Sequence, residues 1–211
     1  MKKALLYISL LLVLLLVACG EKEATNESSA PTNKSEEVSN DIEVTEKADK
    51  TDSAETKGFG KRSNPVPVGT TQTVDIAIYD NESNSFAGKA DITITEVKRG
   101  QEVLDLVLAQ NEYNETPPEG YEYILLNVKA TLTEAETEDY AWLADGWDFD
   151  FIGEDGSPYE MTSVVYEPEY HGEVYVGGTV EGFVVNQVKV NDPIKVVYED
   201  GNWDNVFFST K

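Results

Sequence analysis

Few residues in this chain could do chemistry, and each can be weighed by its neighbours. His171 is the only histidine. A Ser-His-Asp mechanism would need it beside an activated nucleophile, yet no nucleophile-elbow pattern is present and Ser163 is close only in sequence. The expectation for His171, in Tyr170-His171-Gly172, is a surface or hydrogen-bonded side chain at a loop or strand start. Among 40 acidic residues, carboxylate pairs arise by chance, and nothing singles out a glycosidase pair. Asp145, Asp148, Asp150, Glu154 and Asp155 cluster in sequence and offer oxygen ligands of the kind calcium takes. Their spacing does not match a twelve-residue calcium loop, and alternation with Trp147, Phe149 and Phe151 puts Asp148 and Asp150 on the solvent face of a strand. Zinc sites mostly use several Cys or His ligands, and this chain has one of each. Gly177-Gly178 lies in a strand-like pattern and reads as a bulge or close packing, not a phosphate cradle. The expectation is no catalytic residue, no metal site and no cofactor. Tyr166, Tyr170 and Tyr175, interleaved with Glu167, Glu169 and Glu173, form the candidate contact surface, because tyrosine buries area while keeping a polar tip. Trp142, Trp147 and Trp203 read as core or rim residues.

Cys19 is the one cysteine, so no intramolecular disulfide can form. It closes an N-terminal segment of familiar design. Lys2 and Lys3 precede an apolar run from Ala4 to Ala18 that is too short to span comfortably and leads straight into polar sequence. Residues 1–18 therefore read as a signal peptide. Leu16-Val17-Ala18-Cys19-Gly20 resembles the lipobox of bacterial lipoproteins, with small residues on both sides of the cleavage point. That resemblance implies a diacylglyceryl group on the Cys19 thiol and cleavage that makes Cys19 the first residue. Two or more acyl chains anchor stably, at about 0.8 kcal/mol per buried methylene. Location at the extracytoplasmic face of the cell membrane follows from the same resemblance.

Residues 19–57 change composition. Glu, Lys, Ser, Thr, Asn and Asp dominate, no aromatic residue occurs, and Val38, Ile42 and Val44 are too sparse to build a core. Such a segment cannot offset its ordering entropy and reads as a disordered acidic tether, with a root-mean-square span of roughly 35 Å. The formal charge of −24 becomes −26 once Lys2 and Lys3 leave with the signal. That surface repels nucleic acid and anionic headgroups. The expected partners are the membrane, through the anchor, and a protein or other envelope component.

Residues 58–211 are long enough for one domain with a sizeable core. Val74, Ile76 and Ile78 alternate with polar neighbours, as do Ala90, Ile92 and Ile94, and both runs read as half-buried strands. Val103, Leu104, Val107 and Leu108 recur at helical spacing and predict a short amphipathic helix over 101–110, stopped by a loop carrying Pro117-Pro118. Tyr121 to Leu132 is the strongest strand. Further strands are expected through Trp147–Phe151, Glu173–Val185, Ile194–Tyr198 and Val206–Ser209. Glu154-Asp155-Gly156-Ser157 and Asp200-Gly201-Asn202 read as turns. The set predicts an all-β sandwich.

The run from Gly60 through Arg62-Ser63-Asn64-Pro65 to Gly69, then Arg99-Gly100-Gln101-Glu102-Val103, Asn111-Glu112-Tyr113-Asn114, Pro118-Glu119-Gly120-Tyr121 and Gly178-Thr179-Val180-Glu181-Gly182-Phe183, resembles the telokin-like domain family of secreted bacterial lipoproteins. The resemblance implies an immunoglobulin-like β-sandwich with an inserted helix, and no catalytic residues. Fold does not set function. With the anchor and the absence of a reactive constellation, the expectation is a non-enzymatic binding module at the envelope. The alternative is a small-ligand or calcium-binding lipoprotein serving a sensor or transporter.

Overall fold

The computed structural model describes residues 58–211; the expected signal peptide, Cys19 and the expected tether lie outside the described residues. Strands β1 (Thr71–Tyr79), β2 (Ser85–Arg99), β3 (Tyr121–Ala135) and β7 (Thr179–Lys189) form an antiparallel sheet in the order β1-β2-β3-β7. Strands β5 (Phe149–Ile152), β8 (Lys195–Glu199) and β9 (Asn205–Ser209) form a second sheet, and β4 (Trp142–Asp145) pairs with β6 (His171–Val174). The period-two pattern explains the layering. Val74, Ile76 and Ile78 of β1, Ala90, Ile92 and Ile94 of β2, and Ile124, Leu126, Val128, Ala130 and Leu132 of β3 all enter one core with Phe149, Phe151, Val196, Tyr198 and Phe208. The result is an all-β sandwich of antiparallel sheets with one inserted helix, as the sequence predicts.

Helix α1 (Gln101–Gln110) has the predicted bounds. It follows Gly100, whose φ of 79° suits a residue without Cβ, and it packs on the outer face of the four-stranded sheet. Val103 and Val107 meet Tyr123 and Leu125 of β3 and Val185 of β7, forming a second, smaller core. That explains why β3 is buried on both faces near its start. Arg99 closes this corner: it pairs with Glu122 at 2.8 Å and donates to the carbonyls of Asp192 and Lys189. The segment before β1 covers an edge, with Val66 bridging Phe208 of β9 in parallel.

Three expectations need correction. The run Glu173–Val185 is not one strand, because residues 175–178 turn the chain between β6 and β7. Gly177 has φ 86°, and a Cβ on Gly178 would lie 2.8 Å from the Tyr175 carbonyl oxygen. Trp147 and Asp148 are not in a strand with Phe149 and Phe151. They belong to a single 3₁₀ turn, Gly146–Asp148, capped by the Asp145 carboxylate accepting from the Trp147 N–H at 2.9 Å. The extra turn breaks the alternation, so Trp147 points out at 66% exposure and Asp148 is partly buried. Trp142–Asp145, which carried no predicted element, forms β4.

Candidate functional site

The same 3₁₀ turn opens a cleft. Before it, β4 pairs with β6; after it, β5 pairs with β8. The β5–β8 ladder ends at Phe149↔Tyr198. One residue beyond, the chain is in the turn at Asp148 on one side and ends β8 at Glu199 on the other. A notch of ≈ 540 Å³ lies there, between the β4–β6 pair and the β8–β9 turn. Its aromatic walls are Tyr79, Trp142, Tyr198 and Trp203, and its acidic groups are Asp148, Glu173, Glu199 and Asp200. Leu143 adds an exposed apolar side chain at the rim. No lysine or arginine lines the notch, and among the described residues none of these carboxylates is ion-paired.

The far wall is held by a docked hairpin turn. Asp200 Oδ1 accepts from the N–H groups of Asn202 and Asp204 at 2.8 and 2.9 Å, and the Trp203 N–H donates to the Asp200 carbonyl. The turn lies on β1: Gly201 N–H donates to the Asp75 carbonyl at 2.8 Å and Asn202 Nδ2 to the Asp75 carboxylate at 2.9 Å. A Cβ at Gly201 would sit 2.5 Å from the Ile76 carbonyl carbon, so only glycine allows this approach. The outcome is that Trp203 stands at the notch, 78% exposed, with φ 66°.

That backbone angle matters, because left-handed conformation costs an L-residue about 1–2 kcal/mol. The β1–β2 turn is a structural twin. Asp80 Oδ1 accepts from Glu82 and Asn84 N–H groups at 2.8 and 2.9 Å, Ser83 N–H donates to the Asp80 carbonyl, and Ser83 has φ 67°. The equivalent position thus carries a small polar residue in one turn and an exposed indole in the other.

Asp148 has the most perturbed carboxylate in the notch. Its burial, opposed by a backbone hydrogen bond at Asp145 and reinforced by the charges of Asp145 and Glu199, raises its pKa from 3.8 to about 6. This overturns the solvent-face placement expected for it. Tyr198 is likewise pushed well above its ordinary range by burial, with the Asp148 and Asp200 charges adding to it.

The predicted tyrosine surface does not exist as one surface. Tyr170 is fully buried in the main core, edge-on to Phe149 at 5.6 Å between ring centres. It cannot touch a partner, and its hydroxyl lacks a hydrogen-bond partner among the described residues. Burial raises its pKa strongly, with Tyr198, Asp148 and Asp145 adding to the effect. Tyr166 packs against the separate core under α1, where burial pushes its pKa up to about 12. Only Tyr175 is exposed, in the turn after β6. Alternation with glutamates misled here because residues 158–170 are largely irregular, and Tyr170 enters the core next to the Glu169↔Phe183 bridge.

The other sequence candidates stay apart. His171 is exposed, with Nδ1 3.0 Å from Asp145 Oδ2, and no serine hydroxyl is hydrogen-bonded to it among the described residues. Asp155 caps its own turn by accepting from the Ser157 N–H, and Asp150 is exposed on β5. Among the described residues no group of three or more His, Cys, Asp or Glu side chains converges for a metal ion. Sequence reasoning missed the notch, although the signal was present: a tryptophan inside an Asp-Gly-Asn-Trp-Asp turn. Cys19 lies outside the described residues.

No protein-family model matches the chain, and no curated protein matches it, so membership of the telokin-like family is not established. A solved structure of the candidate lipoprotein YcdA from Bacillus subtilis is similar at 16% identity and TM-score 0.41, over 56% of this chain and 35% of that one. The chain therefore spans about a third of that protein's length, and a likeness this distant carries no argument about function.

Proposed function

We propose that this protein is a membrane-anchored extracytoplasmic lipoprotein, tethered through Cys19, whose domain is a non-enzymatic binding module at the cell envelope. The observation that carries the binding reading is the notch beside Asp148. Its volume falls in the range of ligand sites, its aromatic walls offer apolar area with defined geometry, and its carboxylates have no basic partner among the described residues. The small-ligand alternative uses the same notch, since ≈ 540 Å³ holds a small molecule as readily as one or two side chains. The calcium version gains no support from residues 145–155, whose carboxylates serve separate caps and faces.

Two measurements test the proposal. Growth with an alkyne-tagged fatty acid should label the wild-type protein and not Cys19→Ser, and equal labelling of both would overturn the anchor. A photo-cross-linking residue at Leu143, on the rim, should give on intact cells an adduct of defined mass that excess unlabelled protein competes away. The same probe at Glu112, beyond the end of α1, should give none. Identical adducts at both positions, or none at Leu143, would overturn the binding reading.

A further inference from the structure

We propose that the notch recognises an organic cation, a protonated amine on an apolar stem such as a lysine side chain, held between the Trp203 indole and the carboxylates of Asp148, Glu173 and Glu199. This rests on the notch being the binding site and adds the chemistry of its occupant.

Three independent features lead to that chemistry. The first is charge. Four carboxyl groups, those of Asp148, Glu173, Glu199 and Asp200, line the walls, and no basic side chain lines them. Asp148 is both partly buried and without an ion-pair partner among the described residues, an arrangement that disfavours its charged form until a cation arrives. The second is the aromatic surround. Tyr79 and Trp203 are exposed at the mouth while Trp142 and Tyr198 are buried at the back. A cation over an indole or phenol face is attracted by the ring quadrupole, and an alkyl stem gains apolar burial beside it. The third is the placement of Trp203. A bulky residue holds a left-handed backbone angle that its twin turn gives to Ser83, at the end of a turn locked to β1 through Gly201 and Asn202. The fold maintains an exposed indole there against local preference, and such strain concentrates at ligand sites. A neutral sugar would explain the aromatics but not the unanswered carboxylates. An anion is excluded by them.

The test uses the full-length protein in detergent and acetyl-trilysine amide as probe, with titration calorimetry for affinity. Three ligands are compared: the peptide, 1,5-pentanediol as an uncharged stem, and chitotriose as a neutral stacking ligand. The proposal expects saturable binding of the peptide only. Binding should weaken about fivefold to tenfold in Trp203→Ser, by a similar factor in Glu199→Gln, and on raising the salt from about 20 to about 300 mM, which shortens the Debye length from roughly 20 Å to roughly 6 Å and screens surface charge. Serine is the residue the twin turn already carries, so Trp203→Ser retains the turn; circular dichroism of both variants checks it. In a Trp147→Phe background, where Trp203 remains an exposed indole, peptide binding should also shift tryptophan emission. Peptide binding unchanged by both substitutions would overturn the proposal. Binding of chitotriose in place of the peptide would overturn the cation assignment and leave the notch as a binding site. Silence from every ligand, together with no adduct at Leu143, would overturn both.

Discussion

Replacing Asp148→Asn should stabilise the domain at pH 7.5 and not at pH 3.5. In the fold the carboxyl group titrates at about 6 instead of 3.8. Below about pH 3.8 it is protonated in both folded and unfolded chains and adds no pH dependence. Between 3.8 and 6 the folded state holds the proton that the unfolded state has released, so stability falls as pH rises. Above 6 the loss is complete. Full conversion of the shift gives about 3 kcal/mol. Because the group keeps part of its contact with water, screening reduces this to about 1–2 kcal/mol. Asparagine carries no charge and lacks the term at every pH. The difference in unfolding free energy between variant and wild type should therefore grow by about 1–2 kcal/mol between pH 3.5 and 7.5. Urea titration reads it directly: with a slope of about 2 kcal/mol per molar, the variant's midpoint should gain roughly 0.5–1 M across that interval. All other acidic residues are common to both proteins and cancel. Parallel pH profiles would refute the argument, because they would mean that Asp148 is as well solvated in the fold as outside it. The same substitution should weaken cation binding, so the fold would gain stability where the site loses affinity.

Other outcomes follow from the same geometry. Tyr170→Phe removes a buried hydroxyl that has no partner among the described residues and should leave thermal stability unchanged or raise it by up to about 1 kcal/mol; a clear loss in calorimetry would show that the hydroxyl is satisfied in solution. Gly201→Ala forces a Cβ to within 2.5 Å of the Ile76 backbone and should cost about 1–3 kcal/mol, read by urea unfolding, with the emission of Trp203 changing as the turn lifts from β1. Trp203→Gly relieves the left-handed backbone and should gain about 1 kcal/mol; a destabilised variant would mean that the indole's packing outweighs the strain.

The parts of the fold written in strict periodicity were legible. The 101–110 helix is set by Val103 and Val107 one turn apart, and β1, β2 and β3 by alternation that a single core face enforces. Pattern failed wherever a side chain, rather than the backbone period, decided the path. Asp145 caps a 3₁₀ turn with its own carboxylate. That one hydrogen bond turns Trp147 outward, tips Asp148 inward and moves the chain from one strand partner to another. No window of alternating residues could register it, since Trp147-Asp148-Phe149-Asp150-Phe151 alternates without a break in sequence. Tyr170 failed for a related reason: its glutamate neighbours suggested a wet surface, but its position was set by contact with Phe149, distant in sequence.

The candidate site thus arises from the feature that defeated the strand prediction. If β4 and β5 were one continuous strand, the β5–β8 ladder could run on past Phe149↔Tyr198 and leave no gap beside Glu199. Interrupting that strand exposes one end of the core, and the domain then closes the gap only partly, by docking the Asp200–Asp204 turn on β1. The closure itself uses hydrogen bonds from Gly201 and Asn202, neither of which requires an indole at the next position. Ser83 in the twin turn makes the point within the same molecule. Trp203 is therefore not explained by the architecture of the turn, and Asp148 is not explained by stability, since its charge opposes folding at neutral pH. Two residues that the fold does not need, on opposite walls of one notch, are best accounted for by a third body that needs both: one that supplies positive charge to the first wall and apolar area to the second.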